Sequence, residues 1–409
     1  MRIVCVFGKH AYGDPGRGEG YEHANFLPAL VDLGHEVHLF ESFDRAAYRD
    51  FADLNRQFLA RIEALQPDLV LAVLMHYELW TETLDLVRSR CRAVVVNWGT
   101  DDSWKYGQFA RLVAPHVDLW LTTSHDALAQ AGRDGLGNVA LTQWAANARA
   151  IAEPLPAGAC RHRVTFVGSA YGNRRRWIEA LARRGIEVEC FGHGWPHGPV
   201  AAADIPRIVR ESVISLNFGD SGLHFRGVVP YRSRQLKARV FEVPGAGGFL
   251  LTENAERLAE YYAPGREIET FDSADELVRK IRHVLAHPEE RDRIARAGHA
   301  RTRREHTYVE RFRAALEVAV RRGSARARTA EYDCRFGTHA LDTLAARHAP
   351  TRFLSALRCA LVWPATALFG RQRGPRAARR LLFELCWRLA GRRTYTAAGW
   401  PGRLFYRDS

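Results

Sequence analysis

Residues 162–191 read H-R-V-T-F-V-G-S-A-Y-G-N-R-R-R-W-I-E-A-L-A-R-R-G-I-E-V-E-C-F, and this stretch decides the fold. An apolar run at 163–167 stops at Gly168, residues 174–184 carry a helical pattern, and a second apolar run follows at 187–191. Strand, glycine turn, helix, strand is the repeating unit of parallel sheets, whose neighbouring strands need a long crossover connection. The same rhythm continues downstream, with strands expected at 212–217 and 249–252, the 241–246 run opening next to the latter, and helices at 274–286 and 288–305.

Upstream, strands are expected at 2–7, 36–40, 68–75, 93–98 and 119–123, with a helix at 21–33. The rhythm pauses at 151–159, I-A-E-P-L-P-A-G-A, which reads as a linker. The expectation is therefore an α/β chain of two Rossmann-like, doubly wound domains, 1–150 and 151–322, facing each other across a cleft. Ligands in such sheets bind beyond the carboxyl ends of the strands. A third segment, 323–409, follows.

Charge separates that third segment from the rest. From Arg322 to Ser409 there are 17 arginines, no lysine and five acidic residues, so this stretch holds twelve of the thirteen net positive charges. Its apolar stripes at 353–369 and 377–390 are studded with arginine, and it ends G-W-P-G-R-L-F-Y-R-D-S. An Arg-rich amphipathic helical extension with Trp363, Trp387, Trp400 and Phe405 suits an anionic membrane surface. A helical cap packed on the domains, arginines outward, accounts for the same pattern. Nucleic acid fits the charge, but no recognised binding module is present.

The seven cysteines are scattered without a C-x-x-C pair, so neither a disulfide framework nor a zinc site is expected. The histidines are dispersed, and no metal or other cofactor is expected. No signal peptide precedes the first strand and no run of 18 apolar residues occurs, so the expectation is a cytoplasmic protein, peripheral on the inner face of the membrane if the tail docks there.

Chemistry has three places to sit. The loop G-K-H-A-Y-G-D-P-G-R-G-E-G-Y-E-H at 8–23 follows the first strand, and Gly18, Gly20 and His23 become candidates for lining an acceptor or anion site. Gly168 and Ser169 end a strand where backbone amides can meet a diphosphate, and Arg174 follows at a helix start. Residues 232–242, R-S-R-Q-L-K-A-R-V-F-E, form the densest cationic cluster outside the tail. Arg232, Arg234, Lys237 and Arg239 there can neutralise a diphosphate leaving group, whose charge grows in the transition state. Gly247 and Gly248 in P-G-A-G-G-F-L-L-T-E are expected to let the chain pass close to a sugar.

Three sequence blocks carry a family resemblance. G-R-G-E-G-Y-E-H-A-N-F-L-P-A-L-V-D-L-G-H-E-V at 16–37 resembles the amino-terminal signature of GT-B glycosyltransferases. The 162–177 block, then K-A-R-V-F-E-V-P-G-A-G-G-F-L-L-T-E at 237–253 and E-H-T-Y-V-E-R-F at 305–312, resemble the CgeB-like, spore-maturation-protein-like group. The resemblance implies transfer of a sugar from a nucleoside-diphosphate sugar to a hydroxyl acceptor, such as a cell-surface glycan or lipid-linked intermediate. It also places Glu242 where a carboxylate holds the ribose hydroxyls. Many retaining members carry a second glutamate eight positions earlier; here that position is Arg234, which leaves the stereochemical outcome open.

Acid/base candidates in the first domain are Asp101 and Asp102, in N-W-G-T-D-D-S-W, and His76, in L-M-H-Y-E, each beyond a strand's carboxyl end. Each can instead orient a loop or cap a helix. Two rival readings stay open: a nucleotide-sugar epimerase on the same fold, and a non-catalytic nucleotide-binding or scaffold protein.

Overall fold

The computed structural model describes residues 1–226, 229–327, 332–349, 351–371 and 373–408. Two compact units emerge, one of residues 1–142 with 315–409, the other of residues 143–314.

In the first unit, strands β1 (Arg2–Phe7), β2 (Glu36–Glu41), β3 (Leu69–Ala72), β4 (Val94–Gly99), β5 (Leu119–Thr122) and β6 (Val139–Leu141) form a parallel sheet in the order β2-β1-β3-β4-β5-β6. Every residue of β3, β4 and β5 is buried, which is why these strands read as unbroken apolar runs rather than as alternations. β3 stops short of its expected end because the Leu74 amide donates to the Asn97 side chain (2.9 Å) and leaves the ladder. The winding runs from β1 out to β2 and then back past β1 to β3, so connections diverge above the β1–β3 boundary.

The second unit repeats the device. β7 (His162–Val167), β8 (Glu189–Phe191), β9 (Ser212–Asn217), β12 (Leu250–Glu253) and β13 (Glu269–Phe271) form a parallel sheet in the order β13-β12-β9-β7-β8, reversing its winding between β7 and β9. An antiparallel hairpin of β10 (Asp220–Arg226) and β11 (Val229–Arg234), absent from the sequence expectations, projects after β9. Residues 151–159 lie within this unit, where the Ala152 amide donates to the Gly245 carbonyl (3.1 Å).

The basic C-terminal segment belongs to the first unit, as the helices Thr338–His348, Arg352–Phe369, Gly374–Ala390 and Trp400–Phe405. Phe336, Leu344, Phe383, Tyr395, Ala397 and Tyr406 join the core made by β1, β3 and their helices. Phe51 stacks on Tyr406 (5.2 Å between ring centroids), and the Ala397 amide reaches Glu82 (3.1 Å). Here one expectation is corrected: Cys91 and Cys334, 243 residues apart in sequence, form a disulfide. The segment folding back onto the first sheet brings the two buried sulfurs together, which no local spacing of cysteines announces.

Candidate functional site

The carboxyl edge of the second sheet gathers a ring of charged groups at its winding reversal. The loop after β7 begins at Gly168, whose carbonyl accepts from the Trp195 indole N–H (2.7 Å). It is stitched to the loop after β9: the Asn173 amide donates to Asp220 Oδ2 (3.2 Å). Gly172, at φ +63°, makes this possible, because a Cβ there would stand 2.9 Å from the same oxygen.

Arg174 turns inward at the first helical position. It is buried, donates to the Ser169 carbonyl (2.8 Å) and the Tyr171 hydroxyl (3.1 Å), and lies over the Tyr171 ring (4.0 Å). Burial lowers its pKa, with the Arg239 charge acting in the same direction. The side chain holds the shape of the Gly168–Ser169 loop, whose Gly168 and Ala170 amides are taken up by the Phe191 and His193 carbonyls (2.8 Å each).

The cationic cluster is paired with carboxylates. Arg232 meets Asp220 (2.6 Å); Arg234 meets Glu253 (3.1 Å) and Asp272 (2.9 Å); Arg239 meets Glu242 (2.5 Å) and also donates to the Val167 carbonyl (3.1 Å). Glu242 and Arg239 share a face because they sit three apart in the first turn of the helix Arg239–Gly245. Glu253, buried at the end of β12, accepts from the Gly219 amide (2.9 Å), and burial raises its pKa despite Arg234. Lys237 lies in the turn between β11 and that helix.

Asp220 was not among the candidate site residues, and Glu253 entered only as the end of the 237–253 block. Asp220 has a signal in hindsight, since N-F-G-D directly follows a buried strand. Conversely, Gly247 and Gly248 stand at the amino end of β12, away from the ring. A Cβ on Gly247 would lie 2.6 Å from the Ala152 carbonyl, and one on Gly248 2.8 Å from the Val209 carbonyl, so both glycines serve backbone packing.

The first sheet's carboxyl edge has a different chemistry. Its glycine loop is closed by the Gly20 amide donating to the Lys9 carbonyl (2.8 Å); Gly18 takes φ +81°, and His23 meets Glu19 (2.5 Å). A Cβ on Gly20 would stand 2.6 Å from the Gly8 carbonyl. The next helix, Tyr21–Asp32, buries Glu22, which no sequence pattern singled out. Burial, helped by the charge of Asp101, raises its pKa to about 7.

Asp101 is partly exposed and pairs with Lys105 (3.4 Å), whereas Asp102 is buried and accepts from the Trp120 indole (2.8 Å). Burial raises the Asp102 pKa to about 6. A Cβ on Gly99 would fall 2.2 Å from Asp102 Oδ2, so this carboxylate is folded back under its own strand, in a position that anchors the loop. His76 packs edge-on against Phe383 (5.5 Å). Burial, with Lys105, Arg379 and Arg45 nearby, lowers its pKa well below the ordinary value, so it is neutral at pH 7. Among the described residues, no group of three or more His, Cys, Asp or Glu side chains has the arrangement to hold a metal ion.

Residues 173–317 match the model of the Glycosyl transferase-like family. Sucrose-phosphate synthase from Thermosynechococcus elongatus has a similar structure, at 12% identity and a TM-score of 0.55 over 78% of this chain and 99% of that one. Anabaena HepE in complex with UDP-glucose aligns at 13% identity and 0.53, over 78% and 100%. The lipopolysaccharide outer core galactosyltransferase WaaB aligns at 13% and 0.50, over 78% and 99%. A search of curated proteins gives no match. The fold is GT-B: two parallel-sheet, Rossmann-like units of the kind these structures share.

Proposed function

We propose that this chain is a glycosyltransferase of the CgeB-like group that takes a sugar from a nucleoside-diphosphate donor and passes it to a hydroxyl acceptor. One observation carries the reading. Within the family-matched residues, Arg232, Arg234, Arg239 and Glu242 gather at the winding reversal of the second sheet, where Arg239 reaches the Val167 carbonyl at the end of β7. Solved structures with the same fold include one holding UDP-glucose, which supports a nucleotide-sugar donor.

In this reading the Ser169 amide and Arg239 hold the diphosphate, and Glu242 accepts the ribose hydroxyls. The arginines stabilise the charge that grows on the diphosphate as the glycosidic bond breaks. Their present carboxylate partners hold them in place before a ligand arrives. In the first unit, Glu22 beside Asp101 has a pKa near neutrality and suits removal of the acceptor proton.

Titration calorimetry with UDP, GDP and ADP, with donor hydrolysis assayed on the matching sugars, tests the proposal. One diphosphate is expected to bind and its sugar conjugate to turn over. Unchanged affinity and turnover in both Lys237→Ala and Glu242→Ala would overturn the assignment of the donor site.

A further inference from the structure

We propose that the helical hairpin formed by Arg352–Phe369 and Gly374–Ala390 docks the first unit onto an anionic phospholipid surface, lying in the headgroup region rather than spanning the bilayer. The inference is independent of the donor site.

A soluble helix hides its apolar stripe and shows water its polar face. Here one apolar stripe is hidden and a second faces outward. Leu354, Ala378 and Leu382 are buried with Leu404 and Phe405, and Leu357, Leu361 and Ala365 pack partly against them. This satisfies the hairpin's interior. Yet Phe353, Trp363, Leu368 and Phe369 remain exposed on the first helix, Trp363 and Leu368 at 78% each. Phe353, Ala356, Ala360, Trp363 and Ala367 are all exposed and recur at steps of three and four, one continuous face. On the second helix Leu381, Leu385 and Leu389 are exposed at steps of four, Leu389 at 84%. Isolated apolar side chains on a surface need no explanation, but contiguous rows of them mark an interaction site.

Charge identifies the occupant. Residues 352–393 contain ten arginines, no lysine and a single acidic residue, Glu384, which is engaged by Trp387 and Arg388. Such density attracts the negative surface of anionic lipid and repels a second copy of the same basic hairpin. Arg371 and Arg373 stand in the connection beside the exposed Leu368 and Phe369, with Arg376 one turn on. Long arginine side chains beside aromatic and aliphatic anchors suit a headgroup boundary. The helix Arg352–Phe369 is long and apolar enough to cross a membrane, but Arg358 and Pro364 interrupt it, and its partner helix carries Arg376, Arg379, Arg380 and Arg388. A surface position accommodates these charges where a spanning one does not.

Flotation of the full chain with vesicles of equimolar phosphatidylglycerol and phosphatidylcholine, and with phosphatidylcholine alone, tests this. Binding to the anionic vesicles is expected, with about ten-fold weakening between 50 and 500 mM salt. Trp363→Glu/Leu368→Glu/Leu389→Glu changes only exposed positions, and Arg371→Gln/Arg373→Gln/Arg376→Gln removes charge alone. Each is expected to lower binding at least about ten-fold while leaving the thermal melt unchanged. Equal binding to both vesicle types, binding unaffected by either triple variant, or retention after alkaline carbonate extraction overturns the proposal. So does a solution dimer that the glutamate variant dissolves without any vesicle binding, since the face then belongs to a second copy.

Discussion

The two sheets wind alike and place loops at equivalent edges, yet the chemistry set on those edges is opposite. The second unit gathers arginines that are open to exchange, each with a carboxylate partner: Arg232 with Asp220, Arg234 with Glu253, Arg239 with Glu242. The first unit gathers buried carboxyls whose pKa values lie near neutrality, Glu22 and Asp102, with Lys105 as the close cation. Paired, partly exposed arginines receive an anion by trading one acceptor for another. A carboxyl poised near pH 7 moves a proton. Topology fixes where a ligand can sit; the side chains on the loops decide what happens to it.

The units also differ in how they are held, and this gives the largest expected effect. Cys91–Cys334 ties the returning C-terminal segment to the first sheet and encloses the entire second unit in its loop. Cys334→Ser is expected to cost roughly 2–4 kcal/mol, confined to the first unit. Urea unfolding should show the first-unit transition moving while the second stays in place, and wild-type protein in reductant should behave like the variant. If neither transition moves, the contrast in how the units are held disappears.

Glu22→Gln probes the proton site. In the fold Glu22 titrates at about 7 because burial disfavours its charged form, against 4.5 in the unfolded chain. Between those values the folded state holds a proton that the unfolded chain has released. Its contribution is therefore full below pH 4.5 and is lost as pH rises through 7, amounting to roughly 3 kcal/mol. The glutamine variant, neutral throughout, is expected to match wild type at pH 4.5 and to exceed it at pH 8. A stability difference that does not change with pH would remove Glu22 from the proton-transfer reading. His76 has the opposite sign, since its lowered pKa makes stability fall as pH drops through 6.5.

Arg239→Ala tests the other edge. Hydrogen bonds from a charged group contribute about 1.5–3 kcal/mol, so nucleoside-diphosphate affinity measured by calorimetry is expected to fall roughly 10- to 100-fold. Asp101→Asn, at the first edge, should leave that affinity within about two-fold. Equal losses would mean that the two edges do not divide the work.

How much of this was legible depended on distance along the chain. The βαβ pattern of 162–191 placed β7, β8 and the helix Arg174–Ala182 within a few residues, because apolar run, glycine and helix start are local. Arg239 and Glu242 were both candidates, but their pairing was not legible, because the 241–246 run did not read as a helix and the fold places it in the helix Arg239–Gly245. Asp220 was not legible either, since its role comes from Asn173 and Arg232 meeting it across the winding reversal. Glu22 looked like an ordinary first-turn acid until the fold buried it. Gly247 and Gly248 show the converse error: a glycine pair reads the same whether a ligand or the backbone of Ala152 and Val209 needs the space.

The smallest effect concerns Arg234, which stands eight positions before Glu242, where many retaining glycosyltransferases resembling this chain carry a glutamate. It spans Glu253 and Asp272, and its side chain is 42% exposed, so solvent screens part of each pair. Glu253 is 2% exposed and also accepts from the Gly219 amide, so losing the guanidinium leaves a buried carboxylate short of one neutralising partner. Arg234→Gln is expected to cost about 1 kcal/mol in stability and about three-fold in nucleotide affinity, with the Glu253 pKa rising further. Arg234→Glu is the sharper test, because it supplies the glutamate those enzymes carry but sets it against Glu253 and Asp272. Loss of folding in that variant, alongside a well-folded Arg234→Gln, would show that this edge is built around a cation.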